Sequence, residues 1–344
     1  DELRTEIPEV DQYFGVRDWA GIAAALGARH RTELETERLL TTPRHYAYLK
    51  ISEGCNWKCG YCAIPLIRGP HVSVPMETLL EEARKLAARG VREIMVIAQD
   101  TTYYGIDLYG RRRLAELLTA LCRIDDIEWI RLHYAYPTAF PDDVIDVMAS
   151  EPKICKYLDI PFQHISDRML TAMKRRHTKA DALALIERLR ERIPDIALRT
   201  TLLVGYPTET EQDMQELEQF VRDVRFDRLG VFAYSEEEGT YSARELRDDV
   251  PEEEKQRRVD RIMRLQEGIS LENNLARVGR TMRVIVDSRQ GDYYVARSQY
   301  DSPEVDQEIL IPAAAHQLRR GHFYDARITA AEDYDLYGEV VPRR

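Results

Sequence analysis

From residue 44 to about 235 the chain alternates between two periodicities. Short apolar, β-branched runs at 46–51, 92–98, 128–134, 156–160, 197–204 and 228–234 predict strands. Stretches with apolar residues at helical spacing fall between them, near 76–89, 111–123, 141–149, 167–192 and 209–223. Strand–helix alternation of this kind implies βα units around a parallel sheet. Most of the strands are apolar through much of their length, as strands covered on both faces must be. Six units predict a partial (βα)6 barrel rather than a full eight, with chemistry gathered at the C-terminal strand ends.

The flanking segments read differently. Within 1–43 only 18–27 has a helical signature, with Asp18 as N-cap and Gly27 as stop. Residues 251–278 predict one long helix that starts near Pro251 and an acidic first turn, carries Ile262, Leu265, Ile269 and Leu275 on its apolar face, and stops at Gly279. From 280 the period changes to two. Short runs at 282–286, 293–297, 308–311, 323–328 and 337–341 predict a small, all-β, OB-like barrel. The expected division is therefore 1–43, 44–278 and 279–344.

Charge and composition narrow the function. The 344 residues carry 49 basic and 60 acidic side chains, a net charge of −11. That balance argues against broad binding to a phosphate backbone and suits a basic protein partner. The small barrel is itself slightly acidic, about −2 by its formal charges, with Asp301, Glu304, Asp306 and Glu308 close in sequence. No apolar run approaches the ~20 residues of a membrane helix. No signal segment is visible, so a cytoplasmic location is expected.

The chemistry concentrates in Glu53-Gly54-Cys55-Asn56-Trp57-Lys58-Cys59-Gly60-Tyr61-Cys62, on the loop after the first strand. Gly54 and Gly60 allow tight bends, so that three sulfurs can converge. Five cysteines, an odd number, and no secretory signal speak against a disulfide framework. A structural zinc site needs four ligands, and His45 and His71 lack the spacing to complete one. A catalytic thiol needs one cysteine. A cluster with three protein ligands and one open iron remains.

The Cys-x3-Cys-x2-Cys loop resembles the signature of the radical S-adenosylmethionine enzymes. The resemblance implies that Cys55, Cys59 and Cys62 hold a [4Fe-4S] cluster whose open iron binds the amino and carboxylate groups of S-adenosylmethionine. Residues 44–344 further resemble the methylthiotransferase branch, through Cys62-Ala63-Ile64-Pro65, Ala98-Gln99-Asp100-Thr101-Thr102, Leu158-Asp159-Ile160-Pro161-Phe162-Gln163-His164 and the terminal barrel, a TRAM domain in that family. Within the branch they are similar to the RimO type, through Ile130-Arg131-Leu132-His133-Tyr134 and Asp333-Tyr334-Asp335-Leu336-Tyr337-Gly338.

This likeness implies conversion of an aspartate of the small-subunit ribosomal protein S-twelve to its β-methylthio form, with an electron donor protein as a further partner. A tRNA methylthiotransferase is the rival reading. The acidic barrel favours the protein substrate.

Polar strand ends supply candidate cofactor contacts. Gln99, Gln163 and Thr201 suit a ribose or an amino acid end, and a loop with Gly205 and Pro207 lets main chain approach a ring. Arg131 fits either a fork on a carboxylate or a structural salt bridge. Lys174-Arg175-Arg176-His177 fits charge at a helix C-terminus or a substrate contact.

The family's second cluster belongs to an upstream domain. The chain opens on Asp1, and residues 1–43 are expected to be the remnant of that domain and a linker. Cys122 and Cys155 read as core residues. One cluster and cofactor cleavage are therefore expected of this chain, but not methylthiolation by itself. Thr208 stands where the family commonly has glycine, which is expected to stiffen the loop after the fifth strand.

Overall fold

The computed structural model describes residues 2–29 and 36–342. Two compact units divide the chain, Asp1–Leu39 and Leu40–Arg344. The first contains the short helices Glu2–Glu6 and Trp19–Ala25. The Asp18 carboxylate accepts the Gly21 N–H at 2.9 Å, and Gly27 at φ +68° follows the helix end.

The second unit begins with β1 (Tyr46–Lys50), followed by the short strands β2 (Ser52–Glu53) and β3 (Val72–Ser73). Next come β4 (Glu93–Ile97), β5 (Trp129–Leu132), β6 (Ile154–Asp159), β7 (Ala197–Val204) and β8 (Arg228–Ala233). The six longer strands form one parallel sheet in the order β1-β4-β5-β6-β7-β8. Strands β2 and β3 pair antiparallel and pin together the two ends of the cysteine loop.

Five helices cover the sheet: Met76–Ala88, Leu114–Cys122, Asp142–Ser150, Lys179–Arg192 and Glu211–Val224. Each buries an apolar stripe at helical spacing, such as Leu79, Ala83 and Leu86 on the first. Two start at complete capping boxes, Thr178 with Asp181 and Thr210 with Asp213. The single amphipathic stretch expected at 167–192 is two helices, Asp167–Ala172 and Lys179–Arg192. The break at 173–178 takes Lys174 to φ +55°.

The connector helix Glu252–Leu275 buries Ile262 and Ile269 but also Arg258, Gln266, Ser270 and Asn274. Its inner face is therefore largely polar, and Leu275, expected in the apolar face, is exposed. After it β9 (Thr281–Gln290), β10 (Tyr293–Ser298), β11 (Ile309–Pro312), β12 (Phe323–Ala331) and β13 (Leu336–Val341) close into a barrel in the order β10-β11-β13-β12-β9. Its core includes Val284, Val286, Ile309, Ile311, Ile328 and Leu336. Among the described residues no helix is long and apolar enough to cross a membrane.

The two barrels meet through ions rather than through grease alone. The segment 297–306 of the small barrel carries many of these contacts. Arg131 donates to Glu93 at 2.9 Å and to the carbonyls of Gln299 and Ser298 at 2.7 and 3.3 Å. Arg297 pairs with the same Glu93 and with Asp287. Burial alone would raise the Glu93 carboxyl, but Arg297 and Arg131 outweigh it and hold the group below its ordinary range.

Further along the segment Asp301 pairs with Arg228, Asp306 lies 3.4 Å from Arg199, and Tyr46 Oη donates to Glu304 at 2.7 Å. The acidic cluster that suggested a surface for a basic partner is thus divided: Asp301 and Asp306 are turned inward, while Glu304 and Glu308 are exposed. Asp301 is fully buried, and the Asp306 side chain is 1% exposed. The sequence placed these acids together but gave no sign of the arginines opposite them.

Candidate active site

The cysteine loop is built by local constraints on its backbone. Gly54 sits at φ +84°, and a Cβ there would lie 2.2 Å from the Pro70 carbonyl oxygen, so only glycine fits. Gly60 is required for space rather than for its dihedral: a Cβ would approach Tyr206 Oη to 2.8 Å. Backbone bonds from Cys55 N to Gly69 O, Gly60 N to Met173 O and Ser242 N to Gly60 O strap the loop to three other segments.

The loop delivers Cys55, Cys59 and Cys62 to the wall of one cavity of ≈ 480 Å³ at the C-terminal end of the sheet. All three are free thiols. Burial pushes the Cys55 thiol up to about 12 and raises that of Cys62 as well. Among the described residues no three His, Cys, Asp or Glu side chains are placed to hold a single metal ion. Three thiols lining one cavity suit a multi-iron cluster in which each takes a different iron.

The rest of the wall suits an amphipathic nucleoside ligand. Ile97, Ala98, Tyr134 and Pro161 supply apolar surface, and Gln99 and Gln163 supply amides. Gln99 Nε2 donates to Glu53 at 2.7 Å, while its Oε1 is buried with no partner, an acceptor held ready for an ammonium or a hydroxyl. Gln163 sits at φ +70°, a strained position for a side-chain-bearing residue, with its N–H on Thr201 O at 2.9 Å and its carbonyl on Leu203 N at 2.7 Å.

His164, next in the chain, is fully buried. Its Nδ1 accepts the N–H groups of Ile165 and Ser166, which leaves the proton on Nε2, 3.2 Å from Glu209. The other oxygen of Glu209, Oε2, accepts from Gly205 N and Arg258 Nη1, both within 2.7 Å. This chain of contacts joins the Gln163 turn, the loop after β7 and the connector helix.

Two of the four expected cofactor contacts are therefore at the cavity and two are not. Arg131 is a correction: it is wholly buried between the barrels, and its fork engages Glu93 and carbonyls. Thr201 is also absent from the cavity wall, although its carbonyl anchors Gln163. Thr208 adopts φ +72°, a left-handed conformation that a β-branched residue resists.

Three residues escaped the sequence reading. Trp57 stacks on Tyr136 with centroids 4.2 Å apart and planes 8° apart, and its indole N–H donates to Asp100 at 2.7 Å. The Arg175 guanidinium lies over the Tyr136 ring, 4.3 Å from its centroid. Trp57 and Tyr136 stand inside polar strand-end segments, which was the available signal. Arg175 sits in a basic run that reads as charge at a helix terminus or a substrate contact. Cys122 packs in the main core, and Cys155 packs with Trp129, Tyr157 and Ile285 where the barrels meet.

A parallel partial barrel with three thiols at its C-terminal mouth defines a radical S-adenosylmethionine class of protein. Residues 49–221 match the model of the radical SAM superfamily, and residues 278–341 match the TRAM domain. The chain is 54% identical over 342 residues to the "Ribosomal protein uS12 methylthiotransferase RimO" of Porphyromonas gingivalis, covering 99% of this chain and 79% of the relative. It is 52% identical over 340 residues to the protein of the same name from Bacteroides thetaiotaomicron, covering 99% and 78%. Among solved structures, coproporphyrinogen III oxidase (HemN) from Escherichia coli is similar with a TM-score of 0.48 at 16% identity, over 77% of this chain and 68% of that one. The chain belongs to the RimO family of radical SAM methylthiotransferases.

Proposed function

We infer that this protein adds a β-methylthio group to an aspartate of ribosomal protein S-twelve. The observation that carries this reading is one cavity that gathers Cys55, Cys59, Cys62, Gln99 and Gln163, in a chain more than half identical to proteins of that name. A [4Fe-4S] cluster with S-adenosylmethionine supplies a 5′-deoxyadenosyl radical able to take hydrogen from an unactivated C–H bond, a step no side-chain base can perform.

The chain's own residues bind, orient and exclude water. Cys55, Cys59 and Cys62 are the cluster ligands. Gln99 and Gln163 are the contacts to the amino acid end and ribose of the cofactor. The apolar wall keeps water from the reacting groups. Residues 44–278 form the catalytic unit with its connector helix, and 279–344 form the TRAM unit that braces it.

Sulfur insertion calls for a second cluster or another sulfur source. Cys122 and Cys155 are buried apart in packed cores and offer no ligand set for one. An electron donor protein is required as well, and the ribosome places the reaction in the cytoplasm.

Mass spectrometry of S-twelve after anaerobic incubation with the reconstituted full-length enzyme, reductant and a sulfur source tests the reading. One methylthio group in place of a hydrogen on an aspartate is expected. A modified tRNA with unmodified S-twelve would overturn it.

A further inference from the structure

Among the described residues five arginines are taken almost wholly out of water: Arg131, Arg175, Arg228, Arg258 and Arg297. Four of them have a carboxylate: Glu93 for Arg131 and Arg297, Asp301 for Arg228, Glu209 for Arg258. Arg175, 8% exposed, has none among the described residues. Its Nη2 donates to Pro161 O at 2.6 Å, and its Nη1 lies 3.6 Å from Cys59 Sγ and 3.5 Å from Tyr61 Oη. A buried cation without a counter-charge is strongly destabilising, so this position implies an anion that the polypeptide does not provide.

The direction in which Arg175 points identifies that anion. Its guanidinium faces the thiol of Cys59, and Tyr136 Oη reaches the same sulfur at 3.8 Å. The Trp57–Tyr136 stack and the bond to Pro161 fix the guanidinium in place. An iron–sulfur cluster with three thiolate ligands is anionic, and each electron it accepts adds one negative charge. Hydrogen bonds and positive charge at the sulfurs favour the reduced form.

We propose that Arg175 is the counter-ion of the cluster held by Cys55, Cys59 and Cys62, raising its reduction potential and retaining it in the protein. The proposal rests on the assignment of these three cysteines as ligands. It has an unusual corollary: without the cluster, Arg175 is a buried charge set against neutral groups alone, the Pro161 carbonyl and the Tyr136 ring among them, so removing it does not weaken the apoprotein. An arginine present only for packing would behave in the opposite way.

The test uses the full chain, reconstituted anaerobically with iron and sulfide, as wild type, Arg175→Gln, Arg175→Met and Arg175→Lys. An electron paramagnetic resonance titration gives the midpoint potential, a chelator challenge gives the rate of iron loss, and thermal unfolding of the apoprotein gives its midpoint temperature. Arg175→Gln and Arg175→Met are expected to shift the potential negative and to lose iron several-fold faster, with an apoprotein at least as stable as wild type. Arg175→Lys, which keeps the charge, is expected to stay nearer the wild-type potential.

A wild-type potential in Arg175→Gln would overturn the proposal, and so would a shift in Arg175→Lys as large as that in Arg175→Gln. Should Arg175→Met fail to fold, Arg175→Gln and Arg175→Lys still decide between these outcomes. Absence of any cluster signal in the wild type would instead bring down the ligand assignment itself.

Discussion

Ser302 Oγ lies 3.0 Å from His133 Nε2, across 169 residues of sequence. His133 precedes Tyr134, whose side chain lines the cofactor cavity. The small barrel thus reaches the underside of the site. Its segment 297–306 engages Glu93, Arg131, Arg199 and Arg228 on the way, so the second domain is a structural part of the first rather than an appended binding module.

This bracing is electrostatic, and Glu93 is its shared anion. Glu93→Gln leaves Arg131 and Arg297 buried without that carboxylate. The expected cost is about 3–5 kcal/mol of folding stability, read as a lower midpoint in urea unfolding of the apoprotein. A change within error of zero would mean that the two arginines are satisfied by carbonyls and Asp287 alone.

Acid should weaken the protein through identifiable carboxylates. Burial alone would raise the Asp213 carboxyl, but Arg168, Ser166 and Thr210 outweigh it and hold it well below the usual range. A depressed folded-state value contributes stability that is complete above the unfolded value of about 3.9 and is lost as pH falls through the folded one. Asp213→Asn, which also disturbs the cap of the helix Glu211–Val224, is expected to cost about 1–2 kcal/mol at pH 6. That deficit should shrink steadily below about pH 4. Unfolding measured at a series of pH values checks this, and a deficit independent of pH would contradict it.

The conformation of Thr208 predicts a gain. At φ +72° a threonine is strained, and Thr208→Gly is expected to stabilise the fold by about 1 kcal/mol. The change gives up one exposed bond, from Arg168 to Thr208 Oγ1 at 3.3 Å, while the main-chain bonds of Thr208 N–H to Asp249 and of its carbonyl from Arg168 survive. A rise in the thermal midpoint is the expected readout.

The free acceptor of Gln99 predicts a binding defect that spares the metal. Gln99→Leu is expected to weaken S-adenosylmethionine about tenfold, the loss of one hydrogen bond of roughly 1.4 kcal/mol. Equilibrium dialysis of the reconstituted protein measures the affinity. Iron content should be unchanged, which separates this role from that of the cysteines.

The sequence revealed features set by local pattern and missed those set by long-range partners. Strand β7 was read at 197–204 because apolar and β-branched residues make up all of it but Arg199, and it occupies Ala197–Val204. The cysteine loop was legible because its spacing and its glycines are consecutive. Arg131 was not, because the carbonyls that it binds lie more than 160 residues away. The acids at 301–306 were misread for the same reason: a run of carboxylates looks solvent-facing until Arg228, Arg199 and Tyr46 are set against it. Arg175 was hidden in Lys174-Arg175-Arg176-His177, where only the tertiary fold separates buried Arg175 and His177 from exposed Lys174 and Arg176.

The most direct test of the account is the release of 5′-deoxyadenosine from S-adenosylmethionine by the anaerobically reconstituted, reduced chain, with its iron content measured in parallel. Wild type is expected to release it together with methionine, and Cys55→Ser, Cys59→Ser and Cys62→Ser are each expected to lose both the bound iron and the product. A serine variant that keeps its iron and still cleaves the cofactor at the wild-type rate would contradict the account.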